Sequence, residues 1–132
     1  MKVLSREAFK QQVFARSAGR CVFCPAPAVD AHHILDRKLF ADGGYVLANG
    51  AAVCDAHHWA CETTALSVEA VRSAAGITTV HVPDGWDRAA VYDKWGNQAR
   101  SDGSWTPDPL IEDTGARRAL AQGGKLGLIY SR

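Results

Sequence analysis

Two short chelating pairs constrain this chain more than any other feature of its sequence. The first is Cys21-x-x-Cys24 and the second is Cys54-x-x-His57, with 29 residues between them. Zinc prefers four sulfur or nitrogen ligands in a tetrahedron, and two such chelates brought together by a fold supply that geometry. The spacing therefore predicts a structural zinc site that ties together two distant parts of the chain.

The fourth zinc ligand has a competitor in Cys61, which lies seven residues beyond Cys54. We favour His57 because it repeats the x-x spacing of the first pair. Any one cysteine is more often a small buried hydrophobe than a ligand, but two chelates with matching spacing favour metal binding. A separation this long exceeds that of a two-strand, one-helix zinc finger and is typical of a treble-clef-like site, in which a hairpin or loop separates the halves.

Length and composition indicate an ordinary globular chain. Its 132 residues, 47% hydrophobic and 22% charged, predict a single domain, residues 1–132, and exclude disordered and fibrous classes. Charges interrupt the N-terminal segment and no run of about 18 apolar residues occurs, so we expect no membrane span or signal peptide and a cytoplasmic location. In a reducing compartment, close cysteine pairs are more naturally metal ligands than disulfides.

The net charge of +1 is unevenly distributed. Residues 1–40 hold seven basic and three acidic side chains, and the rest of the chain holds eight basic and eleven acidic ones. A basic first third fits contact with a polyanion, although a solvated helix face explains the same charges and is preferred on charge alone.

Capping residues and apolar periodicity predict an α+β fold. The predicted helices run from a Ser5 cap to about residue 17, from an Asp55 cap to about residue 64, from a Ser67 cap to residue 75, and over residues 112–120. Strands are predicted at residues 28–35, 51–54, 77–82 and 126–130, and residues 84–109 are predicted as an irregular layer packed by Trp86, Tyr92, Trp95 and Trp105.

The sequence contains two pairs of adjacent histidines. His32-His33 follows the first chelate, and His57-His58 begins with the last ligand of the second chelate. Neighbours on a helix point about 100° apart, so His57 and His58 suit two different ions rather than one. Glu62 lies four residues after His58, and an i, i+4 pair of this kind is a half-site for a divalent cation. Taken alone, such a pair is more often a surface coincidence.

The ordered set CVFC, DAHHI, ANG and VCDAHHWACE, over residues 21–62, resembles the HNH family of nucleases, also described as ββα-metal or His-Me finger endonucleases. The resemblance implies that His32 binds the catalytic metal and that His33 is the general base. It further implies that Asn49 orients and polarises the base, and that His58 and, one turn later, Glu62 are further metal ligands. Family members with an accessory zinc use four cysteines, whereas this chain has His57 in the fourth place.

The chemistry of phosphodiester hydrolysis fits these residue types. A neutral histidine can take a proton from water, and one hard divalent cation, Mg²⁺ or Mn²⁺, can act as Lewis acid and template. Arg37 and Lys38 follow the first histidine pair and are candidate phosphate contacts, although solvated loop charges are an equal alternative. Because strand neighbours point to opposite faces, His32 and His33 can share a cleft only if the strand ends or bulges there.

The resemblance thus implies a zinc-supported ββα-metal finger at residues 21–64, preceded by a helix at residues 1–20 and followed by an α+β extension at residues 65–132. The expected function is metal-dependent endonucleolytic cleavage of nucleic acid, with DNA preferred, in a homodimer or with a targeting protein partner. Two alternatives stay open. One is a zinc-stabilised nucleic-acid-binding or adaptor module without turnover, and the other is an RNA-directed nuclease using exposed tryptophans.

Overall fold

The computed structural model describes residues 2–107 and 110–129, which form a small α+β fold. It contains a two-stranded antiparallel sheet and four α-helices. In chain order these are α1 (Arg6–Arg16), β1 (Asp30–His33), β2 (Gly50–Val53), α2 (Asp55–Glu62), α3 (Val68–Ala74) and α4 (Thr114–Gln122).

Helix α1 begins as predicted at Ser5, whose side chain accepts a hydrogen bond from the Ala8 backbone N–H at 3.1 Å. That bond satisfies one of the backbone donors that a helix start leaves unpaired. Phe9 and Val13, one turn apart, are buried against Ala52 of β2. The Arg16 guanidinium donates to the backbone oxygens of Leu47 and Gly50, which attaches the end of α1 to the start of β2.

The sheet pairs β1 with β2 in a register that runs from Asp30 opposite Val53 to His33 opposite Gly50. All four residues of β2 are buried, because α1 covers one side of the hairpin and α2 contacts both strands. Cys54 then occupies the N-cap of α2, with Asp55 as the first helical residue rather than the predicted cap. The hairpin therefore leads straight into the helix that carries His57 and His58.

Gly50 marks the closest approach of α1 to the sheet. A Cβ atom at this position would lie 2.5 Å from Val13 Cγ2 and 2.7 Å from Phe9 Cζ. We expect Gly50→Ala to lower the free energy of unfolding by about 1–3 kcal/mol, the usual cost of overpacking a filled core, measured by urea denaturation. Gly127→Ala is the matched control because, apart from its chain neighbours, no atom of the described residues lies within 4 Å of its added Cβ. Equal effects of the two substitutions would contradict this account.

Helix α3 is capped by Ser67 as predicted, but the two later strand predictions are wrong. Residues 77–82 form no strand, although Val82 is buried and Ile77 and Val80 pack against the main core. Their alternating apolar pattern reflects packing of an extended segment without a neighbouring strand. Residues 126–128 form a 3₁₀ turn, Ile129 makes an isolated bridge with Trp105, and residue 130 lies outside the described residues.

The C-terminal part packs mainly around α4, which begins two residues later than predicted because Asp113 is its cap. Trp95 is buried against Ala116, Ala119 and Leu120 of this helix. Trp86 packs on Tyr92 at 4.8 Å between ring centroids, in line with the predicted irregular layer, of which residues 108–109 lie outside the described part. Among residues 2–107 and 110–129, no helix has both the length and the apolar character needed to span a bilayer.

Candidate metal centres

The first candidate metal centre contains Cys21, Cys24, Cys54 and His57, whose ligand atoms all lie within 4.8 Å of one another. Cys21 and Cys24 come from a turn that is closed by a 2.9 Å hydrogen bond from Cys21 N to Ala26 O. Cys54 and His57 come from the first turn of α2. The hairpin between the two chelates brings them together across 29 intervening residues.

The spacing of these atoms fits a tetrahedral zinc ion. Bonds of about 2.3 Å to sulfur and 2.0–2.1 Å to nitrogen place two sulfurs about 3.8 Å apart and a sulfur about 3.6 Å from a nitrogen. Cys24 Sγ lies 3.8 Å from Cys54 Sγ, and Cys21 Sγ lies 3.6 Å from His57 Nδ1. The Cys54 Sγ to His57 Nδ1 distance is slightly shorter, at 3.2 Å.

The protonation behaviour of Cys21 also fits a ligand. Burial opposes its ionisation, but hydrogen bonds from the backbone of Cys54, Phe23 and Cys24 outweigh that effect and lower the pKa of Cys21 to about 7. A thiolate is the form that binds zinc. These four residues can therefore hold a metal such as zinc.

Cys61, the competing ligand, lies elsewhere. It is 2% exposed within the main core cluster, and burial raises its pKa to about 12. A neutral buried thiol of this kind behaves as a small hydrophobe. Within the described residues the fourth member of the cluster is His57, whose ring also stacks on Phe23 at 5.3 Å.

The second candidate metal centre contains His32, His58 and Glu62, which also lie within 4.8 Å of one another. His58 Nε2 is 3.1 Å from Glu62 Oε1, one helical turn away. The His32 and His58 rings meet edge to face, with centroids 5.3 Å apart. As helix geometry predicts, His57 and His58 are divided between the two centres.

Two buried atoms of this second centre have no hydrogen-bond partner among the described residues, namely Nδ1 of His32 and Oε2 of Glu62. An orphaned buried acceptor is costly unless something else satisfies it. Burial, followed by the charge of Lys94, lowers the pKa of His32 well below its usual value, so that its imidazole is neutral at pH 7. The hydrogen bond with Glu62 raises the pKa of His58. A divalent cation fits the ligand atoms of His32, His58 and Glu62. Its binding would displace the proton that His58 and Glu62 share.

His33 borders the same cleft as His32, and β1 ends at this residue, as the shared cleft requires. Its ring stacks on Phe9 and meets the edge of Tyr45, each with centroids 4.8 Å apart. Its Nε2 is buried and has no hydrogen-bond partner within residues 2–107 and 110–129. Burial, together with the charge of Lys94, lowers the pKa of His33 to about 4. The result is a neutral imidazole held by aromatic rings at the wall of a cleft of about 580 Å³.

Asn49 holds the loop that follows β1 rather than a histidine ring. Its Oδ1 accepts from Leu35 N at 3.0 Å, and its Nδ2 donates to Leu35 O at 3.0 Å and to Gly44 O at 3.2 Å. Its backbone oxygen accepts from Ile34 N. The predicted contact with the base is thus replaced by an indirect one: Asn49 sets the chain direction immediately after His33.

We expect Asn49→Ala to lower the free energy of unfolding by about 2–4 kcal/mol. Asn49 is 1% exposed, and its loss would leave the Leu35 N–H and C=O groups buried and unpaired at about 1–3 kcal/mol each. Chemical denaturation would measure the change. A loss below about 1 kcal/mol would mean that water or a shifted loop replaces the amide.

The predicted phosphate contacts separate in the structure. Arg37 is exposed and lines the cleft. Lys38 is outside the cleft lining and forms a 2.7 Å ion pair with Asp113 at the start of α4, so the structure gives its predicted phosphate role no support. Sequence reasoning could not foresee this pair, because 75 residues separate its two members.

Lys94 is a cleft residue that sequence reasoning missed. Its ammonium donates to His33 O at 3.0 Å and to Asp36 Oδ1 at 3.1 Å, and it lies 3.8 Å from Glu62 Oε2. Its side chain is only 5% exposed and lies over the Trp95 ring. Lys94 comes from the irregular segment after α3, in which no local pattern indicates a functional residue.

We expect Lys94→Met to lower the free energy of unfolding by about 3 kcal/mol, since removing one partner of a buried ion pair leaves the other charge buried and unpaired. The Asp36 carboxylate and the His33 carbonyl would lose their shared donor. Thermal denaturation of both variants would compare this loss with that of Lys125→Met. Lys125 forms no ion pair among the described residues. Equal stability of the two variants would contradict the proposed strength of this pair.

Comparison with known proteins gave no match to any family model, curated protein or solved structure. The resemblance drawn from residues 21–62 therefore stays a prediction, and the function is argued from the geometry alone.

Proposed function

We propose that this protein is a metal-dependent endonuclease of the HNH type, with a zinc-supported, treble-clef-like ββα finger formed by β1, β2 and α2. One observation carries the proposal. A neutral imidazole, His33, borders the same cleft as a three-residue candidate cation site, in which His32 Nδ1 and Glu62 Oε2 are buried without a hydrogen-bond partner among the described residues. A binding module needs neither a base nor a second metal centre.

The proposed base is in its neutral form. Its pKa of about 4 keeps His33 unprotonated over the physiological range and also makes it a weaker base than a free imidazole. Ring contacts with Phe9, which is stacked, and Tyr45, which is edge-on, limit the directions the ring can take. General bases need both a free lone pair and a defined position. The ring lines the cleft, which is where the attacking water has to lie.

The second centre is proposed to hold the catalytic cation. Two imidazoles and one carboxylate suit Mn²⁺ better than Mg²⁺, which prefers oxygen ligands. When bound, such a cation supplies Lewis acidity to the scissile phosphate and the leaving oxygen. The four-residue Cys/His cluster is proposed as a separate structural zinc site that orients α2 and so places His58 and Glu62.

Basic and acidic residues line the cleft in equal numbers. Arg6, Lys10, Arg37 and Lys94 all line it. Four acidic residues, Glu7, Asp30, Asp36 and Glu62, line it as well. The cleft by itself therefore has no net positive charge, and productive binding of a phosphodiester depends on the cation. DNA remains the preferred substrate, and the net charge of +1 predicts weak affinity for a duplex.

The test is nicking of supercoiled plasmid by the zinc-loaded protein with Mn²⁺ or Mg²⁺ added, together with cleavage of single-stranded DNA and RNA. We expect cleavage that requires the added cation and is faster with Mn²⁺. Absence of cleavage of all these substrates with every divalent cation would overturn the proposal and favour a binding module.

A further inference from the structure

A second cleft, of about 480 Å³, lies against the other side of the proposed cation site. His58 and Glu62 line both clefts, so these two residues form a wall between them. The remaining lining comes from α2, α4 and one tryptophan of the irregular segment: Asp55, Trp59, Trp95, Gly115, Arg118 and Ala119. Its volume lies within the range of about 300–1,000 Å³ seen for small-ligand clefts.

Trp59 gives this second cleft an exposed aromatic face. It is 52% exposed, more than any other large hydrophobic residue in the described part of the chain. Trp95, by contrast, is 7% exposed, and its Nε1 donates to Glu62 O at 2.9 Å. The buried indole thus supports the backbone of the candidate cation site, while the exposed one belongs to none of the core clusters formed by the described residues.

Arg118 adds a cation to the same cleft. It is exposed on α4 and forms no ion pair or side-chain hydrogen bond among residues 2–107 and 110–129. An unpaired guanidinium beside an exposed indole is a combination that binds a phosphate and an adjacent base.

We infer that the second cleft holds an unpaired nucleotide next to the phosphate that is cut, with its base on Trp59 and a flanking phosphate on Arg118; this inference rests on the proposed function. Every base has a flat face that can stack on an aromatic ring, so the contact is independent of sequence. A paired base in a duplex has both faces covered by its neighbours. The cleft therefore selects single strands, flaps or frayed ends over intact duplexes.

The Asp55 carboxylate at the edge of this cleft fits the same occupant. It lies in the first turn of α2 and is exposed. A carboxylate repels phosphate but accepts hydrogen bonds from the amino groups of bases. Asp55 and Arg118 thus give the cleft a hydrogen-bond acceptor for a base edge and a cation for the sugar-phosphate backbone.

Binding without turnover tests this inference. Fluorescence anisotropy in Ca²⁺ buffer would measure the affinity for a labelled oligothymidylate, the matching oligouridylate, an abasic oligomer of equal length and a blunt duplex. We expect Trp59→Ala to weaken binding of the base-containing single strands about 5- to 150-fold, the range for loss of one stacking aromatic. Binding of the abasic oligomer and the duplex should change less than about twofold, because neither offers a base face.

Arg118→Ala should weaken binding of the single strands and of the abasic oligomer alike, and should lower the salt dependence by about one phosphate contact. Arg88→Ala, which removes another exposed arginine, is the charge control and should leave binding unchanged. The thymidylate and uridylate arms show whether the cleft prefers DNA or RNA.

The inference is overturned if Trp59→Ala binds single strands as the wild type does, or loses duplex affinity equally. This outcome is separate from failure of the proposed function. If the wild type binds single strands through Trp59 but never cleaves them, only the nuclease proposal is overturned. If the wild type cleaves nucleic acid but Trp59→Ala binds single strands as tightly as the wild type does, only the inference is overturned.

Discussion

Replacing Cys54 by alanine is expected to abolish tight zinc binding and to remove most of the cooperative unfolding transition. The apparent free energy of zinc binding in small zinc-bound folds is about 10–16 kcal/mol. This equals or exceeds the total free energy of unfolding of a small protein, which is about 5–15 kcal/mol. Loss of even about 5 kcal/mol would lower Tm by roughly 20 °C in a chain of this size. Metal analysis of the purified variant and thermal denaturation followed by circular dichroism would measure both effects.

Cys61→Ala is the matched control for this prediction. Cys61 is also buried, but it lies in the apolar core outside the cluster that brings together Cys21, Cys24, Cys54 and His57. We expect that variant to keep one tightly bound zinc and to lose only about 1 kcal/mol of unfolding free energy, as for removal of one small buried group. Loss of zinc from Cys61→Ala, with retention by Cys54→Ala, would reverse the ligand assignment.

His33→Ala should lower kcat for plasmid or oligonucleotide cleavage by about 10²- to 10⁴-fold, the usual contribution of a positioned general base. Because His33 lies outside the cluster formed by His32, His58 and Glu62, affinity for Mn²⁺ should stay within about twofold of wild type. Single-turnover cleavage and calorimetric Mn²⁺ titration give the two readouts. His58→Ala should instead lose Mn²⁺ binding together with cleavage.

His81→Ala controls for loss of a stacked imidazole. The His81 ring lies parallel to Phe40, with centroids 5.2 Å apart, and does not line the cleft. We expect wild-type kcat from this variant. Wild-type kcat from His33→Ala would exclude His33 as the base, whatever the protein cleaves.

The local elements were the most predictable part of the fold. Ser5 and Ser67 each cap the helix predicted to follow them, since a capping side chain and its target N–H are three residues apart. The strand prediction for residues 77–82 failed for the opposite reason. Strand formation needs a partner, and apolar alternation alone does not reveal whether one lies beside the segment.

The candidate site divides in the same way. The grouping of His58 with Glu62 follows from one helical turn, and the separation of His57 from His58 follows from the 100° step between neighbours. Lys94, Trp59 and Arg118 reach the two clefts from different elements, and Lys94 is 61 residues from the carbonyl group it contacts in β1. Sequence reasoning placed Trp95 in a packed layer, in agreement with its burial, but it did not single out the exposed Trp59.

By itself, the sequence determined the two x-x chelating pairs, the pairing of His58 with Glu62 and the caps that begin α1 and α3, because each of these depends on spacings of four residues or fewer. Tertiary structure alone decided that Cys61 belongs to the core, that Asn49 holds a loop instead of a ring, and that a buried lysine faces the second metal centre. Those outcomes depend on which distant segments pack together, and packing is governed by shape and burial over the whole chain rather than by local periodicity.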